Sequence, residues 1–432
     1  MKVLVADKFE KVGIDGLKEL GCTVISEPDV KPDALPALIR QVDPNILIVR
    51  SKKVSADALR AGTALTLVIR AGAGIDTIDV AAASDLGVFV SNCPGKNSIA
   101  VAELVLGLLL ACDRRIPDQV ADLRQGKWNK GEYSKARGLY GRTLGIVGLG
   151  QIGREVAQRA RAFGMRVIAW SRNLTHEEAD RLGLIYAQTP LDVARHADAV
   201  TVNVAANPET RNLVNAEFLA AMRPGAYLIN TARGSVVDEA ALQQAVREKG
   251  IRAGLDVFQH EPAGGTGEFS SSVTQVPGVY GTHHVGASTD QAQVSIAHEV
   301  IRIVQSFKAT GEVPNVVNRL AKSSATHVLT IRHRNRPGVL AHVFGVLAGA
   351  SINVEEVENI IYHGAHATLA RIHLDGQPDP AALARIREGN PDIISAELST
   401  IDGRGPRNGN DQLAGEPTRK KPMQPQAADE RR

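Results

Sequence analysis

Short apolar runs alternate with longer amphipathic ones through most of the chain. Lys2–Ala6, Thr23–Ser26, Ile46–Val49, Leu67–Arg70 and Val88–Val90 are compact apolar runs and predict strands. Between them, Val12–Leu20, stopped by Gly21, and Pro32–Arg40 carry helical periodicity. Strands alternating with helices predict a mostly parallel sheet covered on both faces. Pro94-Gly95 breaks the pattern, and Ser98 to about Leu123 predicts one long helix placed where a chain crosses into a second domain. The alternation then resumes. Thr143–Val147, Arg166–Trp170, Ala199–Val204, Tyr227–Asn230, Ile251–Asp256 and Val279–Gly281 are strands, with helices at Arg154–Phe163, Ala216–Met222 and Asp238–Glu248 and a Gly/Ser-rich loop over 264–272. A last long helix, Gln291–Phe307, is placed to return to the first domain. The expected plan is a discontinuous domain, 1–97 with 287–318, into which a second α/β domain, 98–286, is inserted.

From Thr326 the order changes to strand, helix, two strands, helix, strand: His327–Ile331, Val339–Ala348, Ile352–Val357, Ala367–Ile372, Pro380–Gly389 and Ile394–Leu398. That βαββαβ order predicts a ferredoxin-like module over 326–400, after a linker at Ser323–Ala325. Residues 401–432 are polar, Pro/Gly-rich and without periodicity, and are expected to be disordered. The fold class is α/β: two doubly wound, Rossmann-like parallel-sheet domains plus the small C-terminal module.

Composition narrows the function classes. The 432 residues hold 50 basic against 47 acidic side chains, with no basic block to suggest a nucleic-acid partner. Cys22, Cys93 and Cys112 are few, odd in number and far apart, which predicts neither a disulfide framework nor a metal cluster. The N-terminus has no signal-peptide core, and the most apolar stretch, Ile99–Ala111, is too short to span a bilayer and contains Glu103. A cytoplasmic protein with no membrane partner is expected.

One stretch carries definite chemistry. Gly148-Leu149-Gly150-Gln151-Ile152-Gly153 sits between the strand Thr143–Val147 and the helix beginning at Arg154. In that context the first Gly makes the turn, the second lets backbone approach a pyrophosphate, and the third lets helix pack on strand, while free helix N–H groups face the phosphates. A dinucleotide cofactor is expected at Gly148, Gly150, Gln151, Ile152 and Gly153. The acidic residue that usually accepts from the NAD ribose is absent. The second strand ends in Trp170-Ser171-Arg172, and Ser171 followed by Arg172 leaves both NAD and NADP open.

Further segments carry a resemblance. They are Arg50-Ser51, Arg70-Ala71-Gly72-Ala73-Gly74, Asn92–Glu103, Asn230–Gly234, Asp256-Val257-Phe258, Glu261-Pro262 and His284–Thr289. Together with the Gly loop, and in this order, they resemble the D-isomer-specific 2-hydroxyacid dehydrogenases over about 1–318; the C-terminal module resembles an ACT domain. The resemblance implies hydride transfer between a 2-hydroxy acid and a nicotinamide cofactor, most closely on the branch that opens serine biosynthesis with a phosphorylated acid. Arg233, Glu261 and His284 are then the catalytic trio. A guanidinium suits a carboxylate and its neighbouring oxygen, and a His titrates where a hydroxyl proton must leave. The family's Pro before this His is His283 here, so His283 is the alternative base. Thr231, Arg233 and Asp256 are expected on the cofactor, Asp256 at the nicotinamide carboxamide. The family's H-x-P is Asn203-Val204-Ala205 in this chain, which leaves the adenine-side contacts open.

Substrate binding is expected from Arg50, Ser51, Arg70, Ala73, Gly74 and Arg114, the loop offering backbone N–H groups and the arginines meeting a phosphate. His333, Asn335 and Asn353 match residues that bind L-serine across a dimer interface in members carrying this module, which implies an amino-acid effector and a homodimer or homotetramer. Two alternatives remain: an NADPH-dependent hydroxypyruvate or glyoxylate reductase, and a nucleotide-sensing transcriptional co-repressor on the same fold.

Overall fold

The computed structural model describes residues 1–262, 267–320 and 323–401. The expected loop over 264–272 falls partly outside these, up to residue 266, and the expected disorder of 402–432 falls wholly outside them. The chain forms two compact units, one ending at Arg319 and one beginning at Leu320.

The first unit holds two parallel sheets. Strands β1 (Lys2–Val5), β2 (Thr23–Ser26), β3 (Ile46–Val49), β4 (Leu67–Arg70) and β5 (Phe89–Asn92) lie in the order β2-β1-β3-β4-β5. The second sheet has β6 (Thr143–Val147), β7 (Arg166–Trp170), β8 (Ile185–Tyr186), β9 (Ala199–Val202), β10 (Tyr227–Asn230), β11 (Arg252–Leu255) and β12 (Val279–Gly281), ordered β12-β11-β10-β9-β6-β7-β8. Both are doubly wound. The order reverses between β1 and β3 in one sheet and between β6 and β9 in the other, and ligands of such sheets bind at the carboxyl ends of the strands beside that reversal. β3, β6, β9 and β10 are buried at every residue, as strands covered on both faces must be.

Helices set how the two sheets meet. Helix α1 (Lys11–Glu19) covers the first sheet. Helix α2 (Ser98–Arg114) leaves the first sheet and packs on β10, β11 and α3 (Gln151–Ala162). The single helix expected from Ser98 to Leu123 is two. Arg115 takes a left-handed conformation (φ 53°), and Pro117 stands in the first turn of the helix Ile116–Arg124 that follows. Helix α4 (Asp290–Thr310) returns to the first sheet. Its Ile296, Val300, Ile303 and Val304 share one core with Val3, Val5 and Leu17. Where the chain leaves and returns, the almost fully buried Glu299 of α4 binds Lys96 (3.2 Å), Arg302 (2.6 Å) and the Asn315 amide (2.7 Å). Arg302 above all, with Asn315 and Lys96, outweighs burial and holds the Glu299 carboxyl down at about 2. All three cysteines are buried, and burial pushes the Cys93 and Cys112 thiols up to about 12.

The second unit is an antiparallel sheet of β13 (His327–Arg334), β14 (Val354–Ile361), β15 (Ala367–Leu374) and β16 (Ile393–Thr400), ordered β14-β15-β13-β16. Its inner face packs on α5 (Val339–Gly349) and α6 (Pro380–Glu388) through Leu329, Ile331, Val343, Leu347, Ile372 and Ile386. β14 begins and ends later than the expected 352–357. It is an edge strand with most residues exposed, so it lacks the alternation that marks its neighbours.

Candidate active site

The carboxyl ends of β4, β10 and β11 and the loop after β12 bring the expected trio together. Asn230, buried at the end of β10, grips the turn that follows: its amide donates to the Arg233 carbonyl (3.0 Å) and accepts from the Ala232 N–H (3.0 Å). The next residue must be Gly, since a Cβ on Gly234 would lie 2.0 Å from the Phe258 carbonyl carbon. Arg233 is thus held at the sheet edge. Its Nε donates to Asp76 Oδ2 (2.8 Å), Nη2 lies 2.7 Å from the same oxygen, and Nη1 donates to the Ala232 carbonyl (2.7 Å).

His284 Nδ1 lies 2.6 Å from Glu261 Oε2, and Glu261 Oε1 accepts from the Phe258 N–H (2.8 Å). Burial pushes the Glu261 carboxyl up, but the bonds from His284 and the Phe258 N–H, with the nearby Arg233 charge, outweigh it and leave it below its ordinary value. A carboxylate only accepts, so Nδ1 carries the hydrogen and Nε2 is the free base. Both His283 and His284 are exposed, and the ring that meets Glu261 is that of His284.

Asp256 is 1% exposed, and its carboxylate accepts from Thr282 Oγ1 (2.5 Å), the Val285 N–H (2.9 Å) and the Gly286 N–H (2.9 Å). Its backbone carbonyl takes the His284 N–H (2.8 Å). His284 has φ 53°, a left-handed backbone that a non-glycine residue holds only when its surroundings impose it. Asp256 supplies that constraint, and its three donors fill three of the roughly four acceptor positions of the carboxylate, leaving one on Oδ2.

The first sheet faces this edge with cations. Asp7 Oδ2 gathers the N–H groups of Arg50 (2.8 Å), Ser51 (3.0 Å) and Lys52 (2.9 Å), fixing the loop after β3. Arg50 Nη2 reaches Ser288 Oγ (3.4 Å) on the loop after His284. The Arg70 guanidinium lies on Gly72, where a Cβ would meet Nη1 at 1.6 Å. Burial first, then the neighbouring Arg233 and Arg50 charges, bring Arg70 down to about 10, still charged at neutral pH. Its Nε is buried without a partner. Of the N–H groups over 71–74, Ala71 donates to Val49 and Gly72 to Arg70; those of Ala73 and Gly74 find no acceptor among the described residues. Arg114 does not join this cluster within the chain. It ends the 17-residue α2, whose start adjoins the cleft, so it stands roughly 25 Å away. Its neighbour Asp113 binds Tyr227 (3.0 Å) at the opposite end of β10.

The Gly loop meets its steric expectation. Gly148 has φ 99°, and a Cβ there would lie 2.7 Å from the Asn203 carbonyl oxygen; one on Gly153 would lie 2.3 Å from the Gly148 carbonyl oxygen. Beside Gly150 a Cβ would meet nothing within 4 Å, and no side chain caps α3. Open space over an uncapped helix start is what a pyrophosphate requires. At the same edge, Thr231 Oγ1 and Asn203 Nδ2 are buried without partners. The residues present therefore fit a dinucleotide. Gln151 packs on Gly95 of the crossing loop, where a Cβ would lie 1.6 Å from its Oε1, and Ile152 packs into the core. Ser171 is half-buried after β7, while exposed Arg172 faces Glu209 at 3.4 Å.

The profile of the D-isomer specific 2-hydroxyacid dehydrogenase NAD binding domain matches residues 106–286, and that of the ACT domain matches 327–388. A D-3-phosphoglycerate dehydrogenase of Methanocaldococcus jannaschii is 34% identical over 408 residues, covering 91% of this chain and 74% of that one. The chain belongs to the D-isomer specific 2-hydroxyacid dehydrogenase family. A hydroxypyruvate reductase of Thermotoga maritima is 38% identical, covering 72% of this chain and 98% of the relative. The NADPH-dependent glyoxylate/hydroxypyruvate reductase of Sinorhizobium meliloti, solved with NADP and malonate, superposes with a TM-score of 0.63 at 30% identity, covering 74% of this chain and 99% of that one. The chain spans 61% of the length of one further phosphoglycerate dehydrogenase relative and 59% of another. This family member thus carries an NAD-binding domain followed by an ACT domain, and among its described residues no helix is long and apolar enough to cross a membrane.

The three ACT residues do not converge within one chain. His333 is buried, its Nδ1 bonded to the Arg334 carbonyl (2.8 Å) and its Nε2 without a partner. Asn335, just beyond β13, donates to the Ala365 carbonyl (3.1 Å). Asn353, just before β14, donates to Glu355 (3.0 Å). β13 and β14 both run antiparallel to β15, Arg334 pairing with Ala367 and Val354 with Leu374. The two asparagines therefore sit at opposite ends of the sheet, roughly 23 Å apart along β15. Sequence reasoning missed Asp76, whose partner is 157 residues away, and the grip of Asn230 on its turn.

Proposed function

We propose that the protein is a D-3-phosphoglycerate dehydrogenase, oxidising 3-phospho-D-glycerate to 3-phosphohydroxypyruvate in serine biosynthesis. The observation that carries this is the meeting of the Arg50, Arg70 and Arg233 guanidiniums beside the His284–Glu261 pair. Three cations suit a substrate with both a carboxylate and a phosphate. The free N–H groups of Ala73 and Gly74 hold the carboxylate, Ser51 lines its loop, and Arg50 and Arg70 hold the phosphate. Arg233 donates to the 2-oxygen. His284 Nε2 takes the hydroxyl proton, and Glu261 stabilises the imidazolium that forms. Bound nicotinamide supplies the hydride acceptor; Gly148–Gly153, Thr231 and Asn203 hold its dinucleotide. Asp256 serves by positioning the His284 loop.

L-serine is the proposed effector of the ACT domain, bound by His333 and Asn335 of one chain and Asn353 of another; the unpartnered His333 Nε2 is an acceptor for its ammonium. That site requires at least a homodimer, and a cytoplasmic setting suits the three reduced cysteines. Arg114, remote from its own cleft, takes no part in binding its own chain's substrate. A second reading, an NADPH-dependent hydroxypyruvate or glyoxylate reductase, is favoured by Ser171-Arg172 in place of an acidic residue, though Glu209 already faces that cation. Steady-state assays of NAD and NADP against phosphoglycerate, hydroxypyruvate and glyoxylate, with and without serine, separate the two. Turnover of unphosphorylated acids alone replaces the first reading with the second.

A further inference from the structure

Asp76 belongs to neither the cofactor site nor the trio, yet it makes the one carboxylate contact of Arg233 among the described residues. Its loop does not need it. The segment is held by a bridge between Val54 and Ile78, with the Val54 N–H on the Thr77 carbonyl (2.8 Å) and the Asp79 N–H on the Val54 carbonyl (2.9 Å). The Asp76 side chain is half exposed. It reaches from the first sheet to a residue of the second and takes the Nε–Nη2 edge of the guanidinium.

The donor count gives this contact its meaning. A guanidinium has five N–H groups in one plane. Asp76 takes two, the Ala232 carbonyl takes one, and one each remains on Nη1 and Nη2. Nη2 also rests on Gly74, where a Cβ would lie 2.0 Å away, beside a backbone N–H that has no acceptor. With both ends fixed from two sheets, the plane cannot rotate, and the two remaining donors share one array with the loop N–H groups. Without Asp76 the Nε–Nη2 edge is free to grip a carboxylate side-on, an arrangement that binds the acid but leaves the 2-oxygen without its donor.

We propose that Asp76 is a positioning residue for Arg233: it blocks the side edge of the guanidinium so that only the orientation competent for the 2-hydroxy or 2-oxo group is presented. This rests on the reading of Arg233 as the residue that meets that oxygen. Among the described residues, Arg50 and Arg70 then remain in the cleft without an ion pair of their own.

The test uses the full-length Asp76→Ala and Asp76→Asn variants, with kcat and KM for phosphoglycerate, NAD(H) affinity by fluorescence, and Tm. In Asp76→Ala, kcat falls on the order of 10- to 100-fold, as for a misaligned catalytic group, with KM changed by less than about threefold because acid binding persists. Asp76→Asn keeps one acceptor oxygen and recovers at least about threefold over Ala by the same geometric reasoning. Three results each overturn the proposal: Ala within about twofold of wild type, Asn no better than Ala, or a loss shared with Tm or cofactor affinity. If wild type does not turn over phosphoglycerate, the proposed substrate fails; the same variants are then read on hydroxypyruvate, where the same split in kcat is required of Asp76.

Discussion

The cleft of the first unit and the sheet of the second set out their candidate binding residues by opposite constructions. In the cleft, residues from distant strands already touch: His284 on Glu261, Arg233 on Asp76, Arg50 on Ser288. In the ACT domain, His333 and Asn335 lie at one end of the sheet and Asn353 at the other. Chemistry needs groups fixed within fractions of an ångström, and a single folded chain supplies that. A regulatory site instead benefits from being incomplete in one chain, because its ligand then has different affinity for two assembly states, which allosteric coupling requires.

The largest test strikes the preassembled side. His284→Ala should lower kcat by about 10²–10⁴-fold with cofactor binding retained, read by steady-state kinetics and NADH fluorescence titration; if His283→Ala does this instead, the Glu261 contact does not identify the base. Asp256→Asn comes next. The carboxamide turns an NH₂ toward N–H donors, so the loop carrying His284 loosens, and kcat should fall on the order of 10–100-fold with a stability loss of about 1–3 kcal/mol, measured by denaturant titration. The proposed two-chain effector site has its own test. Asn335→Ala and Asn353→Ala should each abolish serine inhibition, while a hybrid of the two variants recovers it, since one of its two sites then has both asparagines. Hybrids as insensitive as the parents would mean that both asparagines act within one chain. The smallest effect concerns pH. The Glu299 carboxyl is lowered from 4.5 to about 2, so the stability it contributes is complete above pH 4.5 and lost as pH falls toward 2. With its main partner Arg302 half exposed and the pair screened by solvent, wild type should lose on the order of 1 kcal/mol more than Glu299→Gln across that window, measured by urea midpoints at each pH.

The two constructions were unequally legible in sequence. Apolar runs marked nearly every strand of the parallel sheets, because strands buried on both faces announce themselves locally, and the Gly loop announced itself by needing no side chains. The edge strand β14 was displaced, since exposure on both faces erases the signal. Arg114 was assigned to the cleft because a motif gives order along the chain and not distance: Ser98 and Arg114 share one helix whose two ends face different surroundings. The contact of Asp76 and the hold of Asp256 on its loop are not legible in the sequence for a related reason. Each acts on residues tens to hundreds of positions away, at Arg233 and at 282–286, and a lone aspartate carries no local mark of its partner.

The buried cysteines have a practical consequence. A thiol raised to about 12 is ionised in only about one molecule in 10⁴ at pH 8, and neither Cys93 nor Cys112 meets solvent. Alkylating reagents should therefore modify these sites only during excursions that expose them. Cys93 lies in the segment by which the chain leaves its first sheet, and Cys112 lies deep on the helix that begins its second. Their relative labelling rates form a two-channel clock, timing the opening of the crossing separately from the melting of the cofactor domain, with no probe added to the chain.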